Sequence, residues 1–380
     1  MKNIIFIITI IFTVSIYSQE NLYKIIDSKT LLPIEYVNVY NKQFGTLTNS
    51  NGMFELKIND LKDSLSISHI SYKELKISKR ELSEKFEIKL TQKVTELEEV
   101  VIYSIDNILD KIIKNLKNNY IDIPTNEYFF SRLTLFKNNN EGQLSEGYLN
   151  VNKSRYFDRS KDKSIKINLL SHTKINNLEN VDFKYYSYEK LFEISESFIN
   201  LKNGDYNFIY TNIGNKLLKI SFYPKENIDP YDTIYNGYLI INKNDYAIQE
   251  FRYSIDSSCA KYSPEIEIKS GVFKKDINAS KLVKWSINSK YNKYELSYLL
   301  IEDKLSVEEN KKKDTYKAVY ELQNLGYIES SYLPKKIKHS KPKKNVFEYS
   351  SFNTKSNIWE VKHPMIINED QGNLLKRIND

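Results

Sequence analysis

The stretch that decides the fold of the N-terminal part is residues 33–56, PIEYVNVYNKQFGTLTNSNGMFEL. Side chains alternate along its first eight residues, with Val37 and Val39 on one side, which is the period of a β-strand. The pair Asn51-Gly52 closes a polar turn and favours backbone conformations with positive φ. Apolar residues alternate again after that turn. We therefore predict short strands joined by tight turns.

The same pattern extends on both sides of this stretch, from Tyr23 to Ile102. Further strand-like segments begin at Tyr23, near Leu65 and near Phe86, and polar residues separate them. Five to seven short strands in about 80 residues are typical of a small β-sandwich. The sequence thus predicts an independent module of this class over residues 19–102.

This module resembles the carboxypeptidase regulatory-like domain, a transthyretin-like or immunoglobulin-like sandwich. The resemblance rests on PIEYVNVY, GTLTNSNGMFEL, LSISHISYKEL, FEIKL and LEEVVI in that order. The chain departs from the family at Tyr23 and Ser71, where the family has glycine. The resemblance implies a non-catalytic accessory module for folding, docking or partner contact, of the kind found in exported proteins of Gram-negative envelopes.

The first residues have the three parts of a secretory signal. Lys2 precedes the apolar run Ile4–Ile16, and Ser18 is a small residue just before Gln19. The apolar run is shorter than the roughly 20 residues that span a bilayer. We expect a signal peptide over residues 1–18 and a protein that is periplasmic, associated with the outer membrane or on the cell surface. An uncleaved N-terminal anchor is the alternative.

A helical connector and a second β-rich domain are predicted after the sandwich. Apolar residues follow Ser104 at helical spacing, which predicts a helix within residues 103–126. Strand patterns and hairpin turns then fill residues 127–350, with a second helix expected over Tyr188–Leu201. Residues 351–380 are expected to be a C-terminal tail. The fold class is therefore mainly β.

The second domain also resembles the half-barrel of periplasmic lipoprotein carriers. The resemblance rests on GYLIINKNDYAIQEFRYS at Gly237–Ser254, a hairpin, and on YLPKKIK at Tyr332–Lys338. It implies a large, curved antiparallel sheet around a helix, with a concave face that holds acyl chains. An ordinary filled β-core is the alternative.

No sequence motif indicates catalysis, a metal site or a cofactor. The four histidines, His69, His172, His339 and His363, occur in no zinc-binding or peptidase pattern. Cys259 is the one cysteine of the chain, so no intrachain disulfide can form. The net charge of +7 is spread along the chain, unlike the concentrated charge of nucleic-acid-binding domains.

These observations predict a non-enzymatic exported envelope protein. In this hypothesis the sandwich docks an envelope protein partner, and the β-domain binds an apolar ligand or an envelope lipid or glycan, with peripheral membrane contact. The alternatives are a hydrolase of envelope polymers with an unrecognised carboxylate pair, and a purely structural assembly factor.

Lysines concentrate around Pro334 and Pro342. Such a run is either a solvated edge protected by charge or a contact site for the phosphates of anionic lipid or lipopolysaccharide. The candidate anion-binding residues are Lys335, Lys336, Lys338, Lys341, Lys343 and Lys344.

Neutralising these six lysines is expected to abolish binding to anionic vesicles, because the attraction to lipid phosphates is electrostatic. Vesicle sedimentation of the wild type and of the variant measures the effect, with zwitterionic vesicles as the control. Unchanged binding of the variant to anionic vesicles would exclude the lysines as the contact site.

Overall fold

The computed structural model consists of two compact units. The first contains the described residues up to Lys93 together with residues 365–369, and the second contains the described residues from Ser104 to Ser340 together with residues 370–379. The described residues are 21–41, 45–56, 61, 64–93, 104–139, 141–153, 165–176, 178, 201, 204–226, 235–256, 261–288, 290–326, 338–340 and 365–379.

The first unit is a sandwich of two small sheets. One sheet has the order β4-β1-β7 and the other β3-β2-β5-β6, and every pair is antiparallel except β1 with β7. This architecture confirms the predicted sandwich. The strands are β1 (Asn21–Asp27), β2 (Asn38–Tyr40), β3 (Gly45–Leu47), β4 (Met53–Leu56), β5 (Leu65–Ser68), β6 (Leu75–Ile77) and β7 (Glu87–Leu90).

Apolar side chains from both sheets form the core of the sandwich, among them Tyr23, Val39 and Ile67. The strand predicted to begin at residue 33 is shorter in the structure. Tyr36 has φ 54°, which breaks the extended conformation, so Tyr36 and Val37 are both buried despite being adjacent. Regular pairing begins only at β2.

Asn49 organises the turn before β4. Its Oδ1 accepts hydrogen bonds from the backbone N–H of Asn51 and of Met53, each at 3.0 Å. Gly52 has φ 72°, the left-handed region that favours glycine. Asn51 does not share that conformation, so the predicted positive φ is right for Gly52 and wrong for Asn51.

The carboxylate of Asp27 ties the end of β1 to two distant segments. It accepts hydrogen bonds from the backbone of Lys29 and Thr30, and from Tyr72 Oη at 2.8 Å and Gln92 Nε2 at 2.6 Å. The hydrogen bonds from Thr30 and Gln92 hold the pKa of Asp27 well below its usual range. Burial and the neighbouring Asp27 raise the pKa of Tyr72 to about 12.

A short helix, α1 (Lys79–Glu84), lies between β6 and β7. Ser78 and Glu81 form a capping box at its first turn, in which each side chain bonds the backbone N–H of the other residue. The strand pattern of this region does not predict the helix.

The second unit is built on one twelve-stranded antiparallel sheet. Its order is β11-β12-β13-β14-β16-β17-β18-β8-β9-β10-β19, and β15 pairs with β16 off this path. The large antiparallel sheet is confirmed. The strands are β8 (Thr125–Lys137), β9 (Glu141–Lys153), β10 (Ile165–Asn176), β11 (Tyr206–Ile213), β12 (Leu217–Pro224), β13 (Tyr235–Asn242), β14 (Ile248–Ile255), β15 (Glu265–Lys269), β16 (Val272–Asn288), β17 (Lys293–Glu309), β18 (Lys312–Gly326) and β19 (Lys338–Ser340).

Helix α2 (Ile105–Asn119) packs on one face of this sheet. Ile108, Leu109 and Ile112 are buried and join the core formed by alternate residues of the strands. Ser104 stands at the N-cap position but makes no side-chain capping hydrogen bond. The predicted helix and its core-facing stripe are thus confirmed. The face that α2 covers is called the helix side below.

A C-terminal helix, α3 (Glu369–Asn379), lies in the segment that was expected to be a tail. Within the second unit, Gln371, Leu374 and Leu375 of this helix are buried. Leu374 lies above Gly142 of β9, at a distance that leaves no room for a Cβ atom at that position.

Two predicted segments lie outside the described residues, namely the signal peptide over residues 1–18 and the closing LEEVVI motif. The helix expected over Tyr188–Leu201 also lies outside the described residues, except for Leu201, which is buried. In the described ranges, no helix has the length and apolar character needed to cross a membrane.

Gly52→Ala is expected to destabilise the sandwich by about 2–4 kcal/mol, because a Cβ in the left-handed region is strained and would meet the Ile25 carbonyl oxygen. Gly45→Ala is the matched control in the same unit, since among the described residues no atom beyond its chain neighbours lies within 4 Å of its Cβ position. Hydrogen–deuterium exchange of the β1 and β4 amides measures the free energy of unfolding. Equal exchange in the two variants would contradict the assigned turn.

Candidate functional site

The predicted lysine site falls almost entirely outside the described residues. This applies to Lys335, Lys336, Lys341, Lys343 and Lys344. The backbone of Lys338 belongs to β19, where it pairs with Leu169 of β10. Anion binding by this cluster stays a prediction.

The two histidines with described side chains lie in different units. His69 is in the sandwich, where its Nδ1 accepts a hydrogen bond from the Ser71 backbone at 3.3 Å and its ring contacts Tyr72 edge-on. His172 is on β10 of the second unit, opposite Gly147. No group of three or more His, Cys, Asp or Glu side chains in the described part of the chain is arranged to hold a metal ion.

A cluster of aromatic side chains on the helix side of β11–β14 is the strongest candidate for a binding surface. Phe222 and Phe251 are buried, each with 2% exposure, and the others are half-buried around them. We call this cluster the aromatic face. Its members are Tyr206, Phe208, Tyr210, Phe222, Tyr235, Phe251 and Tyr253.

The rings of the aromatic face contact one another in sequence across the sheet. Tyr206 meets Phe222 edge-on at 5.6 Å between centroids, and Phe222 meets Phe251 at 6.3 Å. Phe251 meets Tyr253 at 5.1 Å, and Tyr253 meets Tyr235 edge-on at 5.0 Å. These distances lie in the range of favourable aromatic pairs.

Strand register brings these residues together. Phe208 is opposite Phe222, Phe222 is opposite Gly237, and Gly237 is opposite Tyr253. The glycine therefore lies between two rings on the same face, and a Cβ there would collide with the carbonyl oxygen of Arg252. A position without a side chain leaves space into which the neighbouring rings can lean.

Two tyrosine hydroxyls of the aromatic face, those of Tyr210 and Tyr235, are held in the protonated form. Burial raises the pKa of Tyr235, and Tyr206, Asp303 and Asp276 raise it further. Burial and the charge of Asp106 likewise raise the pKa of Tyr210. The face thus presents uncharged rings with polar O–H groups, a combination suited to an apolar body with a few polar contacts.

The opposite face of the sheet carries a buried charge cluster. Arg132 on β8 is 1% exposed and lies opposite Glu146 on β9 and Glu321 on β18. Its Nε donates to Glu146 Oε1, and its Nη1 lies 3.5 Å from Glu321 Oε2. Burial opposes the charge of the guanidinium, but the two carboxylates outweigh it and raise the pKa of Arg132.

Polar side chains from α3 and β17 complete this charge cluster. Gln371 Nε2 donates to Glu321 Oε2 and to Thr134 Oγ1, each at 3.1 Å. Tyr298 Oη donates to Glu321 Oε1 at 3.3 Å. A polar cluster joined by these hydrogen bonds specifies one arrangement of the strands and of the helix above them. We assign it a structural role.

Comparison with known proteins identifies the first unit. Residues 24–102 match the CarboxypepD_reg-like domain family, so the predicted resemblance is confirmed for this part of the chain. Among solved structures, a LolA superfamily protein from Nitrosomonas europaea is matched with a TM-score of 0.21 and 10% identity, over 61% of this chain and 98% of that chain. No curated protein matches the sequence.

Arg132→Met is expected to destabilise the second unit by about 3–5 kcal/mol at pH 7, because it leaves two buried carboxylates without a counter-charge. Urea unfolding of the variant and of the wild type at pH 7 measures the difference in the free energy of unfolding.

Arg132→Lys is the control for this experiment, since it keeps the charge while losing the forked geometry. It should lower the free energy of unfolding less than Arg132→Met does. An equal loss in the two variants would show that the lost contacts are those of packing alone.

Proposed function

We propose that this protein is a non-enzymatic exported envelope protein whose second unit binds an apolar ligand at the aromatic face. In this proposal the CarboxypepD_reg-like domain docks a protein partner in the periplasm or at the outer membrane. The proposal that the second unit binds a ligand rests on the aromatic face.

The aromatic face combines features of sites for apolar ligands. Two buried phenylalanines form its floor, and half-buried tyrosines surround them. Burying apolar surface is favourable by about 25 cal/mol per Å², so a ligand that covers such rings gains affinity from area alone. The protonated hydroxyls supply a few directional contacts. An acyl chain or another extended apolar body fits this chemistry.

Two polar contacts of helix α2 lie at the opposite end of the same strands. Lys111 Nζ is 3.0 Å from Tyr246 Oη, and Asn119 Nδ2 donates to the Asp245 carbonyl at 2.7 Å, both in the hairpin between β13 and β14. Tyr235 is at the other end of β13, seven residues before Asn242. That separation is about 23 Å at about 3.3 Å per residue. The outer aromatic rings thus lie away from this end of the helix.

The absence of recognisable catalytic motifs in the sequence supports a binding role over an enzymatic one. The alternatives are a hydrolase of envelope polymers and a structural assembly factor. The three roles differ in the molecule that the purified protein should retain or convert. A ligand carrier retains an apolar molecule through mild purification, whereas an assembly factor carries none. A hydrolase turns its substrate over.

Native mass spectrometry of the full chain, purified from envelopes under mild conditions, is expected to show an added mass in the lipid range. Phe208→Asp should lose this mass and weaken binding of a fluorescent long-chain fatty acid at least about tenfold, because a charge then lies in the apolar contact. Ile209→Asp is the matched control, since Ile209 is the next residue on β11, has 53% exposure and points to the opposite face.

A bare mass together with no saturable fatty-acid binding by the wild type would contradict the proposed ligand site. Equal loss of binding in both aspartate variants would point instead to a general disturbance of strand β11.

A further inference from the structure

One end of the twelve-stranded sheet gathers lysines from four separate stretches of the sequence. Three hairpin tips lie at this end, between β11 and β12, between β13 and β14, and between β16 and β17, and part of helix α2 contacts them. We call this surface the basic end. Its described residues are 110–123, 214–216, 243–247, 287–288 and 290–295, and its lysines are Lys111, Lys114, Lys117, Lys216, Lys243, Lys290 and Lys293.

Hydrogen bonds join the three hairpin tips to one another. The Lys243 backbone N–H donates to the Lys216 carbonyl at 2.8 Å, which connects the first tip to the second. Asn242 Nδ2, at the second tip, donates to Tyr294 Oη at 3.3 Å, and Tyr294 directly follows the third tip. The lysines of the three tips are therefore neighbours in space, although they are far apart in the sequence.

Helix α2 adds its own lysines to the same end. Lys111 Nζ is 3.0 Å from Tyr246 Oη at the second tip, and Lys293 Nζ at the third tip donates to the Lys117 carbonyl at 3.0 Å. Lys114 lies between these two contacts on the helix and is exposed. The helix thus places a row of three lysines next to the hairpin tips.

Carboxylates are fewer than lysines at the basic end. Among its described residues they are Asp110, Asp122, Asp245 and Glu295, against seven lysines. The carboxylate of Asp245 is directed at its own hairpin, where Oδ1 accepts from the Ala247 backbone N–H at 2.8 Å. The surface therefore carries an excess of positive charge.

The tip between β17 and β18, at the opposite end of the sheet, has as many exposed lysines but a different balance. It contains Lys311, Lys312 and Lys313. Lys313 is opposite Glu308 on the paired strand, and Lys312 is opposite Glu309. A carboxylate across from each lysine offsets its attraction for an external anion. The excess of charge is thus a property of the basic end and not of every lysine-rich tip.

Exposed apolar side chains lie among the lysines of the third tip. Ile287 is 57% exposed and Tyr291 is 38% exposed. Lys290 Nζ lies 5.1 Å from the centroid of the Tyr291 ring. Asn288 Oδ1 accepts from the backbone N–H of Lys290 and of Tyr291, at 2.9 and 3.2 Å, which fixes the conformation of the tip. The tip therefore presents an aliphatic and an aromatic side chain next to positive charge.

This combination favours a lipid surface over a protein partner. Lysine is depleted in protein–protein interfaces, whereas a lysine near an anionic bilayer strengthens binding by about fivefold. Tyrosine is enriched where a bilayer meets water, since its ring is apolar and its hydroxyl is polar. We propose that the basic end docks the protein on an anionic phospholipid bilayer, with Ile287 and Tyr291 in the headgroup region. The basic end and the aromatic face share no residue, so either proposal can fail alone.

Vesicle sedimentation of the protein purified from envelopes tests this docking. The wild type is expected to bind vesicles of phosphatidylglycerol and phosphatidylcholine in equal parts. It should bind vesicles of phosphatidylcholine alone at least about tenfold more weakly, because these lack a net negative surface charge. High salt should weaken the binding to anionic vesicles, since it screens the attraction between exposed charges.

A triple variant removes three exposed lysines of the basic end, namely Lys114→Gln, Lys117→Gln and Lys290→Gln. It is expected to weaken binding to anionic vesicles at least about thirtyfold, because each lysine contributes about fivefold. The matched control makes the same change in net charge at the opposite end of the sheet, with Lys311→Gln, Lys312→Gln and Lys313→Gln. It should weaken binding less than about threefold.

A second pair of variants tests the apolar part of the contact. Ile287→Ser should weaken binding to anionic vesicles at least about fivefold, because it removes an aliphatic side chain from the headgroup region. Ile266→Ser is the matched control, since Ile266 is 52% exposed on β15, at the opposite end of β16. All substituted side chains are exposed, and each variant should keep the circular dichroism spectrum of the wild type.

Three results would overturn the proposal. Absence of wild-type binding to anionic vesicles would leave the basic end as a surface for an acidic protein partner. Equal losses in the two triple variants would reduce the effect to the net charge of the protein. Unchanged binding of the basic-end variant, with loss on neutralising the six lysines around Pro334 and Pro342, would assign the contact to that cluster. None of these results bears on the lipid mass expected for the aromatic face.

Discussion

The packing of helix α2 against one face of the twelve-stranded sheet is the interaction on which the second unit depends. An isolated helix of 15 residues is marginal in water, so Ile108, Leu109 and Ile112 must bury their stripe to stabilise it. A sheet likewise needs its apolar face covered. The two elements therefore stabilise each other, and their shared core runs from the helix through β8 to β18. The aromatic face is the continuation of that core towards the sheet edge at β11.

The face of the sheet opposite to helix α2 is organised around a buried cluster of charged side chains. Arg132 lies in the middle of strand β8, and its charge is tolerated because Glu146 and Glu321 stand directly opposite on the two neighbouring strands. Helix α3 adds Gln371 to the same cluster. Exchanging such a cluster for apolar residues need not reduce stability, so its value lies in specifying one register and one position of the helix. The sheet thus has one apolar face that can extend into a binding surface, and an opposite face on which a buried charge cluster fixes the geometry.

In the sandwich, sequence patterns predicted the class of fold but not every local conformation. The alternation placed Val37 and Val39 on the buried side correctly. The strand is shorter than predicted because Tyr36 has a positive φ, a conformation that no sequence pattern indicates. The capping box of Ser78 and Glu81 is a signal in the sequence for the start of helix α1. The hydrogen bonds of Asp27 are not predictable from a local pattern, because its partners Tyr72 and Gln92 are far away in sequence.

The sequence by itself determined the strand-rich composition, the sandwich family and the stripe of helix α2. These depend on the spacing of residues within one segment, which is a local property. Only the tertiary structure decided the order of the strands, the alignment of Phe222 with Gly237 and Tyr253, and the pairing of Arg132 with Glu146 and Glu321. Each of these joins residues on different strands, and their register is set by the packing of the whole sheet. The candidate sites are built from such non-local pairs, so the sequence showed their residue types without showing that they meet.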